Sequence, residues 1–492
     1  MPPEVETVEP VVTVEPVEGE RVERTARRAL WWSIANNLVG RVGTTLMGIV
    51  LARLLVPEDY GIYAAALVAL SALLSMNELG VSLAIVRRPG DVSRIAPTVK
   101  TLALGFSFLL WVLMFAAAPH VAAAVGSPEA ANVLRVLTLS VLIDAMTAVP
   151  AALMTRDFMQ KERLIVDTAG FIVGSITAIG LALAGFGVWA LVWSALLGNV
   201  VNAAFILHYS PDHHPFGFRR DVARELLAFG LPLALASLVI MGLLNIDYVV
   251  IGAQLGAVQL GFYLLAFNLA SWPVNMFSAP ARRVSLPLFA RLHAGETDAS
   301  DAFVPVCTLL LLVTLPACLV LAALARPIVQ IVYGDTWLPA ASVLPWLMVL
   351  ALVRVIGELV YDFLVALGSS RSKQSRQVVW LTALAIALPI AARKGGIEAV
   401  AMAHAGVAVC IVVPTYAIVL HRAGVSLRAV ASQVLRPLVA TVAGGVVAVG
   451  VALLIPDAFA RLTLGAALIG LVYLVIVFPM RKLLKSPALG AA

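Results

Sequence analysis

Long apolar runs separated by short polar intervals dominate this chain. Fourteen runs are long enough to cross a bilayer: about 29–55, 60–86, 97–118, 130–154, 166–185, 188–208, 226–251, 260–281, 302–325, 340–367, 377–392, 396–420, 435–455 and 461–480. A helix needs roughly 20 residues to cross the hydrocarbon core. Barrel strands would be about half that length and would alternate, so the pattern predicts helices. The run at 377–392 is short, and the boundary between runs 5 and 6 rests on Gly185 and Gly187. The runs are called spans 1 to 14 below.

Composition agrees with the pattern. Of 492 residues, 61% are apolar and only 13% charged, with a mean hydropathy of +0.98. No water-soluble core needs this much apolar sequence, so the chain is expected to be an all-α integral membrane protein. The charges follow the spans. With the N-terminus inside, 26 of the 34 lysines and arginines fall on one side, in the N-terminal flank, alternate loops and the C-terminus. That positive-inside bias predicts cytoplasmic termini, and the net charge of +6 reports loops facing anionic lipid rather than nucleic acid.

Residues 1–28 form an acidic tail with seven glutamates between Glu4 and Glu23, expected to be disordered and cytoplasmic. Residues 481–492 form a second cytoplasmic tail. The three cysteines, Cys307, Cys318 and Cys410, lie in apolar runs without metal or redox spacing and read as packing residues. His404 is isolated in span 12 and reads as structural. No metal site, cofactor motif or catalytic constellation is expected.

An internal repeat divides the chain. Shifted by 200, Val50, Leu55, Gly61, Tyr63, Ala66 and Ser71 meet Val250, Leu255, Gly261, Tyr263, Ala266 and Ser271. Shifted by 210, Ala131, Val133, Leu134 and Leu137 meet Ala341, Val343, Leu344 and Leu347. Spans 1–2 thus correspond to spans 7–8, and span 4 to span 10. A unit of six spans keeps both halves in one orientation, the parallel-repeat arrangement of transporters. The expected organisation is an N-lobe at 29–208 and a C-lobe at 226–420 around a central cavity. Two extra spans follow at 435–480.

Polar side chains recur inside these spans at helical spacing. Span 1 carries Asn37, Arg41, Thr44 and Gly48 on one face, and span 2 carries Ser71, Ser75, Glu78 and Ser82. Span 8 repeats the stripe with Asn268, Ser271, Asn275 and Ser278. Span 7 adds Asn245 and Asp247. Span 10 places Arg354, Glu358, Tyr361 and Asp362 on one face, and its repeat partner span 4 has Asp144. A charge at mid-membrane costs at least ~2.5–3.5 kcal/mol, so Arg41 needs a carboxylate or a water-filled cavity. One reading is an anion-binding residue in a central cavity; the other is an ion pair with Asp144 or Glu78. Arg354 and Glu358 have the i, i+4 spacing of a self-satisfying pair. The Asn and Ser stripes read either as cavity lining or as helix–helix hydrogen bonds. Arg282 and Arg283, below the span 8 stripe, read as topology charge or as a lipid-headgroup site.

Residues 50–63, Val-Leu-Ala-Arg-Leu-Leu-Val-Pro-Glu-Asp-Tyr-Gly-Ile-Tyr, resemble the span 1 exit of bacterial Wzx-type polysaccharide flippases. These belong to the multidrug/oligosaccharidyl-lipid/polysaccharide (MOP) superfamily. Gly261-Phe-Tyr263, Leu231-Pro232, Tyr333-Gly334 to Trp337 and Ala366-Leu-Gly368 fit the same pattern. The resemblance implies two six-helix lobes around a cavity lined by spans 1, 2, 7 and 8, in the bacterial cytoplasmic membrane. It implies alternating access and an undecaprenyl-diphosphate-linked oligosaccharide substrate. Its partners would be membrane lipids, a coupling proton or sodium ion, and a polysaccharide polymerase or export machinery. Arg41, Asn37, Thr44, Ser75, Glu78, Asn268, Asn275 and Arg354 become candidate cavity residues. Glu78, Asp144, Asp247, Glu358 and Asp362 become candidates for ion coupling. The two extra spans resemble fourteen-span lipid II flippases.

Four other functions compete. A lipid II flippase fits the span count. A cation-coupled drug exporter of the same superfamily fits the fold, although an arginine suits cationic cargo poorly. A membrane glycosyltransferase or polymerase would need a large outer loop with paired carboxylates, and no outer loop exceeds about 15 residues. A non-transporting scaffold would not need charges in mid-span.

Overall fold

Proline and glycine punctuate the helices. Span 2 (Pro57–Asn77) opens on Pro57, with Glu58 and Asp59 in its first turn against the positive end of the helix dipole. The helix of span 7 (Arg220–Leu255) stops at Gly256, whose φ of 83° only glycine adopts freely. The computed structural model describes residues 32, 36, 39–77, 93–210, 215–294, 299–367 and 373–480, and these residues form no strand. Asn37, Glu78, Ser82, Gly368 and both tails, all named above, lie outside the described residues.

The helices follow the apolar runs. Span 1 is helical over 39–54. Span 3 is Ala96–Ala124, and span 4 is built from Ala130–Leu137 and Leu139–Arg156. Spans 5 and 6 are Gln160–Leu183 and Val188–Tyr209. Spans 8 and 9 are Ala257–Ala294 and Ala299–Ala323, and a short helix at Ala325–Val332 precedes span 10 (Pro339–Ala366). Spans 13 and 14 are Leu427–Leu454 and Ala458–Val477. Among the described residues, twelve stretches are long and apolar enough to cross a membrane.

One of the twelve, Val379–Arg422, has 44 residues. As a straight helix it would run roughly 66 Å, twice the hydrocarbon thickness. Gly395 (φ −156°, ψ 23°) and Gly396 (φ 65°, ψ −153°) leave helical geometry between spans 11 and 12. Span 12 then passes through a π-helical turn at Ala408–Val412, just before Pro414.

Packing falls into two groups. Spans 2 to 6 contact one another, as do spans 7 to 12. Spans 13 and 14 pack on each other and on span 9. Span 2 meets spans 7 and 8, and span 3 meets span 7. The segment joining the groups is anchored to span 3, because the Gly217 and Arg219 N–H groups donate to the Thr101 and Thr98 hydroxyls. Asp221, ahead of the apolar run of span 7, joins this anchor through Arg219 and Arg94. The Arg219 hydrogen bond leads the contacts that hold its carboxyl below the usual range.

The groups close on each other at the end that holds Gly61 and Gly261, where the contacts obey the sequence repeat, and spans 3 and 4 also pack on the start of span 7 at the other end. A Cβ on Gly61 would overlap the Ala257 carbonyl oxygen, and one on Gly261 would overlap the Pro57 carbonyl oxygen. Ala257 is Pro57 shifted by 200, so the two contacts are mirror statements of one two-fold-like relation. A second pair behaves alike. The Trp337 indole N–H donates to the Ala52 carbonyl at 2.7 Å. On the other side, a Cβ on Gly126 or Gly252 would overlap the Gly252 or Val125 carbonyl oxygen, respectively. Gly252 is Ala52 shifted by 200, and Trp337 is Ser127 shifted by 210. Tyr60 and Phe262 meet Trp337 edge-on at 5.0 and 6.0 Å. Arg53 donates to the Val332 and Ile331 carbonyls at the end of the short helix. Burial pushes the neighbouring Tyr333 phenol up to about 12, so it stays neutral.

Trp337 is 1% exposed. Trp337→Ala is expected to cost about 3–5 kcal/mol, the range for emptying an aromatic site, and to orphan the Ala52 carbonyl. Thermal unfolding of the purified protein in detergent should show a clearly lowered Tm. An unchanged Tm would mean that this end is loosely packed.

Candidate functional site

Span 1 presents two exposed faces. At about 100° per residue, Val39, Val42, Leu46 and Val50 share one side, and Arg41 and Thr44 the opposite side. The apolar side suits lipid, and Gly43 on that side lets Phe171 of span 5 approach. The polar side is exposed. Its Thr44 hydroxyl donates back to the Gly40 carbonyl at 2.8 Å. Asp144 is exposed on span 4. Among the described residues no ion pair joins Arg41 to Asp144, one of the two partners the sequence offered it; the other, Glu78, lies outside the described residues.

The other stripes divide. On span 8, Asn268 and Asn275 are exposed, two turns apart on one side. On span 2, Ser75 is half-buried and bonds the Ser71 carbonyl at 2.9 Å, the local back-bond of a helix interior. Asn245 of span 7 likewise turns to its own helix, donating to the Met241 carbonyl at 3.0 Å.

Among the described residues, a concavity lies between spans 7, 8, 10, 11 and 12. It encloses about 600 Å³. Arg282, Arg354, Glu358 and His404 bring charge and titratable nitrogen to its wall, and Phe267 and Trp380 bring aromatic surface. The Arg354 guanidinium lies 5.5 Å from the Phe267 ring centroid, a cation–π contact. Among the described residues it makes no ion pair with Glu358, so the i, i+4 pair read from the sequence does not form. Span 12 reaches this wall through its π turn, with Ile411, Val412, Thr415 and Tyr416.

Behind the wall sit two buried carboxylates. Asp362 accepts from Arg282 at 3.0 Å and from the Ser285 hydroxyl at 3.4 Å. Arg282 is therefore tied to span 10. Asp247 is fully buried and accepts from the Tyr263 hydroxyl at 2.8 Å. His404 Nδ1 stands 3.6 Å from Asp247 Oδ2. His404 is thus not isolated, as its surroundings in sequence implied. A further polar link, Asn36 to Asp167 at 2.7 Å with Arg163 beside it, joins spans 1 and 5. Only the i, i+4 spacing of Arg163 and Asp167 signalled it in the sequence.

The family profile described as "Polysaccharide biosynthesis protein" matches residues 50–342. The chain belongs to that family. Curated relatives include the lipopolysaccharide biosynthesis protein WzxC of Escherichia coli (strain K12), 26% identical over 356 residues, 70% of each chain. The succinoglycan biosynthesis transport protein ExoT of Rhizobium meliloti (strain 1021) is 25% identical over 326 residues, 65% of each chain. Among solved structures, the lipid II flippase MurJ in an inward closed conformation superposes with a TM-score of 0.75 at 15% identity, covering 92% of this chain and 100% of that one. An inward-facing multidrug resistance MATE transporter of the MOP superfamily gives 0.63 at 17% identity, over 80% and 99%. This polysaccharide biosynthesis protein is a multi-pass membrane protein with the fold of the MurJ and MATE structures.

Proposed function

We propose that this transporter moves undecaprenyl-diphosphate-linked oligosaccharide repeat units from the inner to the outer leaflet of the bacterial cytoplasmic membrane. It works by alternating access and serves exopolysaccharide, capsule or O-antigen synthesis. Fourteen spans cross the membrane, with span 1 ahead of the twelve apolar stretches and the longest stretch folded back at Gly395-Gly396. Spans 1–6 and 7–12 are the two lobes, and the closed end faces outward.

One observation carries this reading: Arg41 lies on the polar, exposed side of span 1, opposite a lipid-suited apolar side. A mid-span charge costs ~2.5–3.5 kcal/mol or more, and a water-filled path for an anion removes most of that cost. A guanidinium matches phosphate oxygens two at a time. A cationic drug would meet repulsion there, which disfavours the exporter. Asn268 and Asn275 offer hydrogen bonds to sugar hydroxyls from span 8. The carboxylates of spans 7 and 10 are the candidates for coupling an ion to this movement.

Deleting the gene tests the reading. Undecaprenyl-linked oligosaccharide should accumulate on the inner leaflet, with surface polysaccharide lost. Absence of accumulation together with sensitivity to cationic drugs would move the chain to the exporter class. Accumulated lipid II would move it to peptidoglycan synthesis.

A further inference from the structure

We infer that the coupling ion is a proton, held between His404 of span 12 and Asp247 of span 7. This rests on the reading of the chain as an ion-coupled transporter, and it adds the identity and seat of the ion.

The first ground is the company Asp247 keeps. Its Oδ1 accepts the Tyr248 N–H at 3.1 Å, and its Oδ2 accepts the Tyr263 hydroxyl at 2.8 Å. A further neighbour among the described residues is the His404 imidazole at 3.6 Å. A sodium ion or a divalent cation needs several oxygen acceptors around it. Here both carboxylate oxygens are already turned to donors, and the third group is a nitrogen. A proton is the cation this site fits.

The second ground is charge balance. Facing His404 or its cavity, or bonded to a group that does, are Asp247 from span 7, Tyr263 and Arg282 from span 8, Arg354, Glu358, Tyr361 and Asp362 from span 10, and Tyr416 from span 12. Three carboxylates against two arginines leave one net negative charge among the described residues. In a membrane interior such an excess is costly, and one proton on His404 removes it. His404 is 5% exposed, and its Nδ1 has no hydrogen-bond partner among the described residues. At 3.6 Å the pair is one small movement from a charge-assisted hydrogen bond.

The third ground is mechanical position. His404 lines the cavity, so its imidazole lone pair can take a proton from cavity water and return it to water in the other state. The π turn of span 12 begins four residues further on. Asp247 precedes Gly252 by five residues, roughly 7.5 Å along the helix, and Gly252 is a close contact of the closed end. Protonation draws spans 12 and 7 together; deprotonation releases span 12 and frees the helix that holds the closed end. Histidine is the side chain suited to such a change, since it titrates between about pH 5 and 8.

The test is nitrogen-15 NMR of histidine-labelled full-length protein in nanodiscs. The chain has seven histidines, and His404→Gln identifies the His404 signal by its loss. In the wild type that signal should change reversibly between the neutral and the protonated imidazole across the physiological pH range, and the change should be displaced in Asp247→Asn. A signal constant over that range in either protonation state overturns the proposal. In proteoliposomes, an imposed pH gradient should accelerate wild-type transport, and His404→Gln should lose at least about tenfold of that response, the scale of an ordinary coupling energy. Transport driven equally by a sodium gradient alone would also overturn it. The NMR readout needs no substrate, so a titrating His404 without lipid-linked sugar transport would defeat the flippase reading and leave the proton site standing.

Discussion

Gly261→Ala is expected to abolish transport while leaving membrane insertion and helix content intact. The added methyl would overlap the Pro57 carbonyl oxygen, a backbone atom that cannot swing away like a side-chain tip. Spans 2 and 8 would have to separate at their crossing, and the closed end could not form. Overpacking a tight contact costs about 1–3 kcal/mol, sometimes more, and each ~1.4 kcal/mol shifts an equilibrium tenfold. The two-fold-like relation makes a sharper demand. Gly61→Ala should produce the same phenotype, because its methyl would overlap the Ala257 carbonyl oxygen at the equivalent place in the other half. Gly105→Ala is the control, since nothing lies within 4 Å of its Cβ position. Complementation of a deletion strain measures transport, and thiol reactivity of an Ala257→Cys variant reports opening of the closed end. Wild-type transport in Gly261→Ala would show that this crossing is not part of the cycle.

Arg41→Ala should eliminate transport with normal insertion, and Arg41→Lys should restore it only in part. Removing the charge makes span 1 more apolar, so insertion does not suffer. What is lost is the guanidinium on the polar side of the helix. Lysine keeps the charge but not the planar fork that holds two phosphate oxygens at once. Equal activity of the lysine variant would reduce Arg41 to a point charge, and full activity of the alanine variant would remove it from substrate binding. Complementation with matched membrane levels of each variant measures both.

The close crossing of spans 2 and 8 was legible in the chain because it leaves a compact mark. Gly61 and Gly261 must be glycine where two backbones touch, and Tyr63 and Tyr263 follow at the same spacing. The spans were legible because length and hydropathy are local properties. The short appearance of span 11 has a local cause too, since Gly395-Gly396 turns the chain inside what otherwise scans as one long helix. Contacts between distant spans left no such mark. Asp247 and His404 are too far apart in sequence for any periodicity to join them, and each alone looks like a polar residue in an apolar run. Arg282 looked like one more basic loop residue, yet it reaches Asp362 across the contact between spans 8 and 10. Arg354 and Glu358 had ideal spacing for a pair, but the guanidinium took the Phe267 ring instead. Spacing says which side chains share a face; it does not say which neighbour from another helix competes for them.

The most direct measurement is a leaflet-resolved assay on the purified transporter. Proteoliposomes would carry undecaprenyl-diphosphate linked to a labelled oligosaccharide, with an impermeant sugar-modifying reagent outside. The account predicts that the inner-leaflet pool becomes reactive in the presence of the wild-type protein and stays protected with Arg41→Ala. A pool that stays protected with the wild-type protein, under pH and sodium gradients alike, would contradict it.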